Sequence, residues 1–159
     1  MHDEVAALAI NDAMRADDFY FLLSWHEGMT WPEFLTVLEN QRWGVKLAEQ
    51  QVRAVQLVAD VDGEIVGRTS IRFELNDFLS TIGGHVGYGV APAHRRKGYA
   101  TEILRQSLVV LRADGVERVL VTCDDLNVGS SRAIEANGGV VENVVPDGEG
   151  SYVRRYWIA

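Results

Sequence analysis

Hydrophobic and polar residues follow two different periods along this chain. Two segments rich in β-branched residues, 52–61 and 64–73, flank Asp62 and Gly63, a dipeptide typical of two-residue hairpin turns. A further candidate strand runs from about Ile82 to Val90. The pattern therefore predicts a β-hairpin followed by a third strand.

After the third strand, apolar residues recur at helical spacing. The stripe consists of Ala100, Ile103, Leu104, Leu108 and Leu111. Asp114 and Gly115 follow it and are typical of a helix end. The other predicted elements are a polar loop at 74–81, a short buried strand at 117–123, a helix at 130–136, and a final pair of strands at 140–145 and 151–158.

The N-terminal part of the chain is less regular. Thr30 and Glu33 have the spacing of a capping box, which marks the start of a helix. The segment from Ala6 to Leu23 is helical in part of its pattern, and residues 1–14 contain no good strand candidate. The order of elements predicts an α/β fold of the mixed (α+β) kind, with residues 1–159 in one domain.

A short basic loop joins the third strand to the helix that follows. Arg95, Arg96 and Lys97 precede Gly98 and Ala100 at the point where this helix begins. A helix N-terminus carries unpaired backbone N–H groups and a partial positive charge, so it attracts phosphate. Small residues let a diphosphate approach the backbone closely. The loop predicts a phosphate site, and the alternative is an ordinary turn with a solvated basic cluster.

Two common phosphate-binding loops do not fit this stretch. The P-loop requires Lys after its last Gly, whereas Lys97 precedes Gly98. A dinucleotide-binding loop would begin at Gly87 and Gly89, but its sixth position is Pro92, which has no backbone N–H.

Composition narrows the range of partners. The chain has 159 residues, enough for one domain with a real core, and 23 Asp and Glu against 15 Lys and Arg. This acidic balance argues against broad binding to nucleic acid.

Cys123 is the single cysteine, so no intrachain disulfide forms, as expected in a reducing compartment. With no signal peptide and no apolar span of membrane length, we expect a cytoplasmic protein without a membrane partner.

The basic loop resembles the acetyl-CoA loop of the GNAT superfamily of N-acetyltransferases, in which Arg95, Gly98 and Ala100 occupy the three motif positions. Longer segments resemble a bacterial subgroup of predicted acetyltransferases. These segments are 75–79, 83–88, 122–131, 134–139 and 155–158. The resemblance implies a mixed sheet of about six to seven strands, splayed around the acetyl-CoA site, with about four helices. The family's usual first strand has no counterpart in residues 1–14, where it is absent, displaced or replaced by helix.

The resemblance also implies which residues hold acetyl-CoA. They are Tyr88, Gly89, Val90, Arg95, Arg96, Lys97, Gly98, Tyr99, Ala100, Thr101, Asn127 and Ser131. In the family, the pantetheine arm bonds free backbone groups between two splayed strands, and a backbone N–H near Val90 stabilises the oxyanion. Gly84, Gly87 and Gly89 would make a bulge or bend in the third strand easy, and we expect one there. Asn127 also has the sequence position of a helix N-cap.

The reaction implied is direct transfer of an acetyl group to an amine, with no metal. His85 is the candidate general base because its ordinary pKa is near 6.5, and a structural histidine is the alternative. Ile134 stands where the family commonly has a tyrosine that acts as the general acid. Tyr152, Tyr156 or water would then protonate the departing thiolate. Cys123 is read as a buried strand residue rather than a nucleophile.

Three classes of function stay open at this stage. The first is an N-acetyltransferase acting on a small-molecule or peptide amine. The second is a module that binds acetyl-CoA or CoA without turnover. The third is a partner-binding domain that uses tryptophans, which are Trp25, Trp31, Trp43 and Trp157. The oligomeric state is open, with a homodimer as one option.

Overall fold

A six-stranded sheet with helices packed against it forms the fold in the computed structural model, which describes residues 2–17 and 19–159. The elements in chain order are α1 His2–Arg15, α2 Trp31–Trp43, β1 Ala54–Val61, β2 Glu64–Arg72, β3 Val86–Val90, α3 Tyr99–Ala113, β4 Val119–Asp124, α4 Val128–Ala136, β5 Val140–Pro146 and β6 Tyr152–Ile158. A π-helical turn spans Leu79–Gly83, and a short 3₁₀ turn spans Pro92–His94.

The strands lie in the order β1-β2-β3-β4-β6-β5, and every neighbouring pair is antiparallel except β3 and β4. The mixed sheet confirms the predicted fold class. Since a parallel pair needs a long crossover, α3 lies in the connection between β3 and β4.

Two hydrophobic cores stabilise these layers. One core joins α3 and α4 to the central strands and contains fully buried Leu104, Leu111, Ile134 and Tyr156. The other joins α1, α2 and the segment between them, including Met14, Phe21 and Phe34. Trp25 and Trp31 pack on this second core, and their rings contact Phe34.

Several predicted boundaries are confirmed. The capping box forms, with the backbone N–H of Thr30 donating to Glu33 Oε2 at 2.8 Å. The Thr30 hydroxyl also donates to this carboxylate, which lowers the pKa of Glu33. The hairpin turn lies at Asp62 and Gly63, both of which have positive φ.

One boundary was predicted wrongly. The third strand begins at Val86 rather than near Ile82, because a π-helical turn occupies much of the segment before it. The segment from Ala6 to Leu23, whose pattern is helical only in part, is helix as far as Arg15. Beyond Arg15 the chain is irregular, and the backbone N–H of Leu22 donates to the buried Asn11 side chain at 3.0 Å.

Helix α1 occupies the segment in which no strand candidate was found. Among residues 2–17 and 19–159, no helix combines the length and the apolar composition needed to cross a lipid bilayer.

Candidate functional site

The two parallel strands in the middle of the sheet separate soon after they meet. Among the described residues, β3 and β4 pair only at Val86 and Val121. On its other side, β3 pairs with β2 along its whole length without a shift in register. The splayed arrangement is therefore present, but the expected bulge does not interrupt the β2–β3 ladder. The irregular glycine is Gly84, which lies before the strand and has φ of 63°.

The pairing with β2 determines which backbone groups of β3 face the gap. Arg72 N–H donates to the His85 carbonyl, and Ala91 N–H donates to the Val66 carbonyl. Because hydrogen-bonded pairs alternate in an antiparallel ladder, odd-numbered residues of β3 point their N–H and C=O groups toward β2. The backbone groups of Tyr88 and Val90 therefore point toward the gap beside β4.

A cavity of about 560 Å³ opens at this gap. It contains ten of the residues that the resemblance assigns to acetyl-CoA, and these are Tyr88, Gly89, Val90, Arg95, Arg96, Gly98, Tyr99, Ala100, Thr101 and Asn127. Lys97 and Ser131 do not line it. Lys97 is exposed in the same loop, and Ser131 is buried with its hydroxyl 3.5 Å from Cys123 Sγ.

The first turn of α3 forms one wall of the cavity. Gly98 is the N-cap residue and has φ of 84°, and an added Cβ there would meet no atom within 4 Å. Glu102 N–H makes the first bond of the helix, to the Gly98 carbonyl, so the N–H groups of Tyr99, Ala100 and Thr101 have no partner within the helix. This wall is suited to a phosphate group.

Of the arginines around this wall, one is paired with a carboxylate. Arg95 donates to the Val90 carbonyl and forms an ion pair with Asp17 at 2.6 Å. Arg96 and Arg132 also line the cavity, and neither has an ion pair with a described residue. Asp17 therefore offsets one of the positive charges on which the sequence-based prediction relied.

The N-terminus of α4 forms the opposite wall. Asn127 caps this helix, because its Oδ1 accepts the backbone N–H of Ser130 at 3.0 Å. The Ser130 hydroxyl lies 2.9 Å from the hydroxyl of Tyr88. Burial raises the pKa of Tyr88 to about 12, so the phenol stays protonated near neutral pH. Tyr88 thus brings a protonated hydroxyl into the gap between β3 and α4.

His85 lies away from this cavity. Its side chain is buried, and its Nδ1 accepts the backbone N–H of Leu120 at 2.9 Å. Burial lowers the pKa of His85, so the imidazole is neutral at pH 7. The bond across the sheet favours the structural alternative, and a catalytic role remains a prediction.

The candidates for proton donor occupy different environments. Ile134 is fully buried in the core. Tyr156 is also fully buried and bonds Glu135 at 3.3 Å, and Tyr152 is exposed on β6. Neither tyrosine lines the cavity, whereas Tyr88 does. Burial raises the pKa of the Cys123 thiol, in keeping with a buried strand residue.

Sequence reasoning missed several residues of the cavity. They are Met14, Asp17, Phe19, His94, Gly129, Ser130, Arg132 and Ala133. The Phe19 ring covers Gly89, where an added Cβ would lie 2.4 Å from the ring. No pattern in the irregular segment after α1 could have indicated this contact, although Ser130 lies within the segment 122–131 that carries the resemblance.

Within the described part of the chain, no three His, Cys, Asp or Glu side chains lie together in a way that could hold a metal ion.

The model of one protein family, described as an acetyltransferase (GNAT) domain, matches residues 5–140. No curated protein matches the chain in sequence. Among solved structures, RimJ from Mycobacterium smegmatis in complex with CoA-disulfide superposes with a TM-score of 0.71 at 21% identity, over 99% of this chain and 77% of that one.

Two further structures have the same fold. The ribosomal-protein-S5-alanine acetyltransferase from Vibrio fischeri gives a TM-score of 0.66 at 18% identity, over 98% of this chain and 87% of that one. The protein yncA from Salmonella typhimurium, solved with acetyl-CoA, gives 0.63 at 19% identity, over 98% and 89% of the two chains.

Proposed function

Because this chain belongs to the acetyltransferase (GNAT) domain family, we propose that it transfers the acetyl group of acetyl-CoA to the amine of a small molecule or a peptide. The observation that carries this proposal is the cavity between the splayed strands, which combines backbone groups of β3 that face the gap with the N-terminus of α3.

The residues of the cavity fit the parts of acetyl-CoA. The first turn of α3, with Arg96 beside it, suits the diphosphate. The backbone groups of Tyr88 and the N–H of Val90 suit an amide-containing arm, which can bond the strand as a further strand would. Asn127 and Ser130 lie on the far wall and offer polar side chains to this arm. The two structural neighbours solved with CoA-disulfide and acetyl-CoA support this assignment.

In the proposed step, the amine nitrogen attacks the thioester carbonyl carbon, a C–N bond forms, the C–S bond breaks, and the amine proton leaves. The products are an acetamide and CoA thiol. An aliphatic amine with a pKa near 10 is about one part in a thousand neutral at pH 7, so its deprotonation costs roughly 4 kcal/mol. The N–H of Val90 points into the gap and is the candidate donor to the developing oxyanion.

The hydroxyl of Tyr88 is the candidate acid for the departing thiol. Its pKa of about 12 keeps the proton on the phenol, and its bond to Ser130 fixes its position. The thiol itself has a pKa of about 8.5, so this proton assists the reaction without being essential.

Two measurements on the wild-type protein test the proposal. Titration calorimetry should detect binding of CoA, and acetyl-CoA with an amine panel should release free thiol together with an acetylated product detected by mass spectrometry. The panel contains amino acids, polyamines, aminoglycosides and basic peptides. Binding of CoA without thiol release across the panel would support the alternative, a CoA-binding module without turnover. Absence of CoA binding would overturn both.

A further inference from the structure

A second, smaller cavity of about 240 Å³ lies near the start of β3. Its walls come from β1, β2, α2 and the turn before β3, and its polar side chains include Gln41, Gln56, Ser70 and Asn76. Arg72 is the charged side chain that lines it, and no carboxylate does so among the described residues. Phe78 and Leu79 are among the residues that add apolar surface to this cavity.

Arg72 is held in place by backbone groups alone. Its Nη1 donates to the carbonyls of Gly83 and Gly84 at 3.1 and 3.2 Å. Its Nη2 lies 3.4 Å from the point that a Cβ on Gly87 would occupy. Burial lowers the pKa of Arg72. Within residues 2–17 and 19–159, no carboxylate lies within ion-pair distance of this guanidinium.

Arg68 is a second positively charged residue, close enough to Arg72 for the two charges to interact. This residue is only 5% exposed, and its Nη1 and Nη2 donate to the carbonyls of Gly87 at 3.0 Å and Tyr20 at 2.7 Å. Its Nε is buried without a partner among the described residues. Burial, reinforced by the charge of Arg72, lowers the pKa of Arg68 to about 9.

Arg68 is buried and Arg72 is partly buried, and two cations so close together are unfavourable unless an anion offsets them. The protein has a net charge of −8, yet the described residues bring no carboxylate to this pair. The balance can be supplied by a ligand. A planar guanidinium with free N–H groups binds a carboxylate with two parallel hydrogen bonds.

Arg72 is the contact between the second cavity and β3. Its guanidinium lies against Gly87, and the following residue, Tyr88, points its backbone groups into the splayed gap. An acceptor anchored at Arg72 would extend past Gly87 to bring its amine to the gap. The volume of about 240 Å³ is below that of a typical drug-sized pocket, which favours a small acceptor.

We propose that this second cavity binds the carboxylate of an amino-acid-like acceptor, with Arg72 as its direct ligand and Arg68 as the supporting charge. The inference rests on the proposed acetyl transfer and specifies the class of its acceptor. The amine to be acetylated and the carboxylate then belong to the same small molecule.

Matched pairs of amines test the inference on the wild-type protein. The pairs are L-amino acids against their amides, and β-alanine against O-phosphoethanolamine and ethanolamine. We expect kcat/KM to be about 10- to 100-fold higher for the amino acids than for their amides, which is the usual scale for a hydrogen bond to a charged group. Equal or faster turnover of the amides would overturn the inference. A preference for O-phosphoethanolamine over β-alanine would also overturn it, because the second cavity would then bind a phosphate group rather than a carboxylate.

The variant Arg72→Gln removes the proposed ligand. It should raise KM for amino acids by about 10- to 100-fold and leave the amides and the affinity for CoA unchanged. Arg42→Gln is the control, because Arg42 is exposed and lines neither of these two cavities. An equal loss for acids and amides would contradict the role of Arg72. Should Arg72→Gln fold poorly, Arg72→Lys, which keeps the charge but not the two-pronged geometry, should still weaken amino-acid binding selectively.

Binding measurements separate this inference from the proposed function. Calorimetry with CoA-loaded protein should detect amino acids but not their amides. Binding of amino acids without thiol release would overturn the acetyl transfer and keep the carboxylate site. Thiol release with polyamines alone would support the transfer and overturn the carboxylate site, as would a failure of every amino acid to bind.

Discussion

Tyr88 is the residue of β3 whose side chain contacts the α4 wall of the larger cavity. Because its hydroxyl is the candidate proton donor, Tyr88→Phe should lower kcat by about 10-fold, less than the usual 10²- to 10⁴-fold because a thiolate is a stable leaving group. Steady-state thiol release measures this change. Tyr152→Phe is the control, since Tyr152 is exposed and lies outside the cavity. An unchanged kcat in Tyr88→Phe would leave the hydroxyl with a structural role only.

The pH profile of the same variant provides a second check. Burial raises the pKa of Tyr88 to about 12, so the hydroxyl keeps its proton throughout the range from pH 6 to 9. The ratio of wild-type to Tyr88→Phe rates should therefore be constant over that range. A ratio that declines toward pH 9 would show that the hydroxyl ionises earlier than its burial implies.

His85 has a different role in our interpretation. Removing its ring leaves the buried N–H of Leu120 without an acceptor, so His85→Ala should lower the free energy of unfolding by about 1–3 kcal/mol. Urea denaturation measures this loss. Since the pKa of His85 is lowered by burial, its stabilising effect is present above the ordinary value of 6.5 and is lost as the pH falls through the lowered value. The wild type should therefore lose stability below about pH 6.5 more steeply than His85→Ala.

The catalytic hypothesis for His85 predicts a different pattern of rates. A general base would cost roughly 10²-fold in kcat/KM, with recovery at high pH where the amine is already neutral. We expect instead a flat ratio of wild-type to variant rates from pH 6 to 9, measured where both proteins are folded. Recovery at high pH would reinstate His85 as the base.

At the scale of an element, the N-terminus of α3 is the feature on which the proposed binding of CoA depends. Gly98→Glu puts a carboxylate where the phosphate should lie, and we expect the affinity for CoA to fall by at least about 10-fold. Gly115→Glu is a matched control, because Gly115 also has positive φ, at 91°, with no atom within 4 Å of an added Cβ. Both variants should lose about 1 kcal/mol of stability from backbone strain.

Calorimetry and thermal unfolding, run on both glycine variants, separate the two effects. Equal losses of CoA affinity at both positions would mean that backbone strain, not charge at the helix N-terminus, governs binding. An unchanged affinity in Gly98→Glu would remove the main support for the phosphate site.

The sequence predicted an element well where that element depends on residues that are close together in the chain. The hairpin at Asp62 and Gly63, the capping box at Thr30 and the apolar stripe of α3 each depend on residues close in sequence, and each is present. The start of β3 was misjudged because apolar residues before it resemble a strand. These residues form a π-helical turn, in which Gly84 N–H donates to the carbonyl of Leu79, and the distant Thr122 donates to the carbonyl of Ile82.

At the scale of the whole molecule, the sequence indicated residues on two of the three walls of the candidate site. Ten of the residues that the resemblance implied line one cavity, and they include Asn127 at the start of α4. The third wall comes from the irregular segment after α1, where Phe19 covers Gly89 and Asp17 pairs with Arg95. These contacts join residues more than 65 positions apart, and no periodicity in the sequence encodes them.

The net charge of the whole molecule repels an anionic ligand, whereas the arginines that line the cavity attract it. The protein carries a net charge of −8, and Asp17 adds a carboxylate directly at the cavity wall. Asp17→Asn should tighten CoA binding about 2- to 5-fold, the scale of an exposed ion pair, because it frees the charge of Arg95. The bond from Arg95 to the Val90 carbonyl keeps that side chain in place.

The control for this prediction is Asp12→Asn, which makes the same change in net charge, from −8 to −7, at an exposed position of α1 outside the cavity. Since salt and solvent weaken the effect of an exposed charge that makes no direct contact with the site, Asp12→Asn should change CoA affinity less than Asp17→Asn does. Equal tightening in both variants would show that the overall charge limits binding. Weaker binding in Asp17→Asn would mean that the ion pair positions Arg95 for the phosphate, so that orientation outweighs charge at this wall.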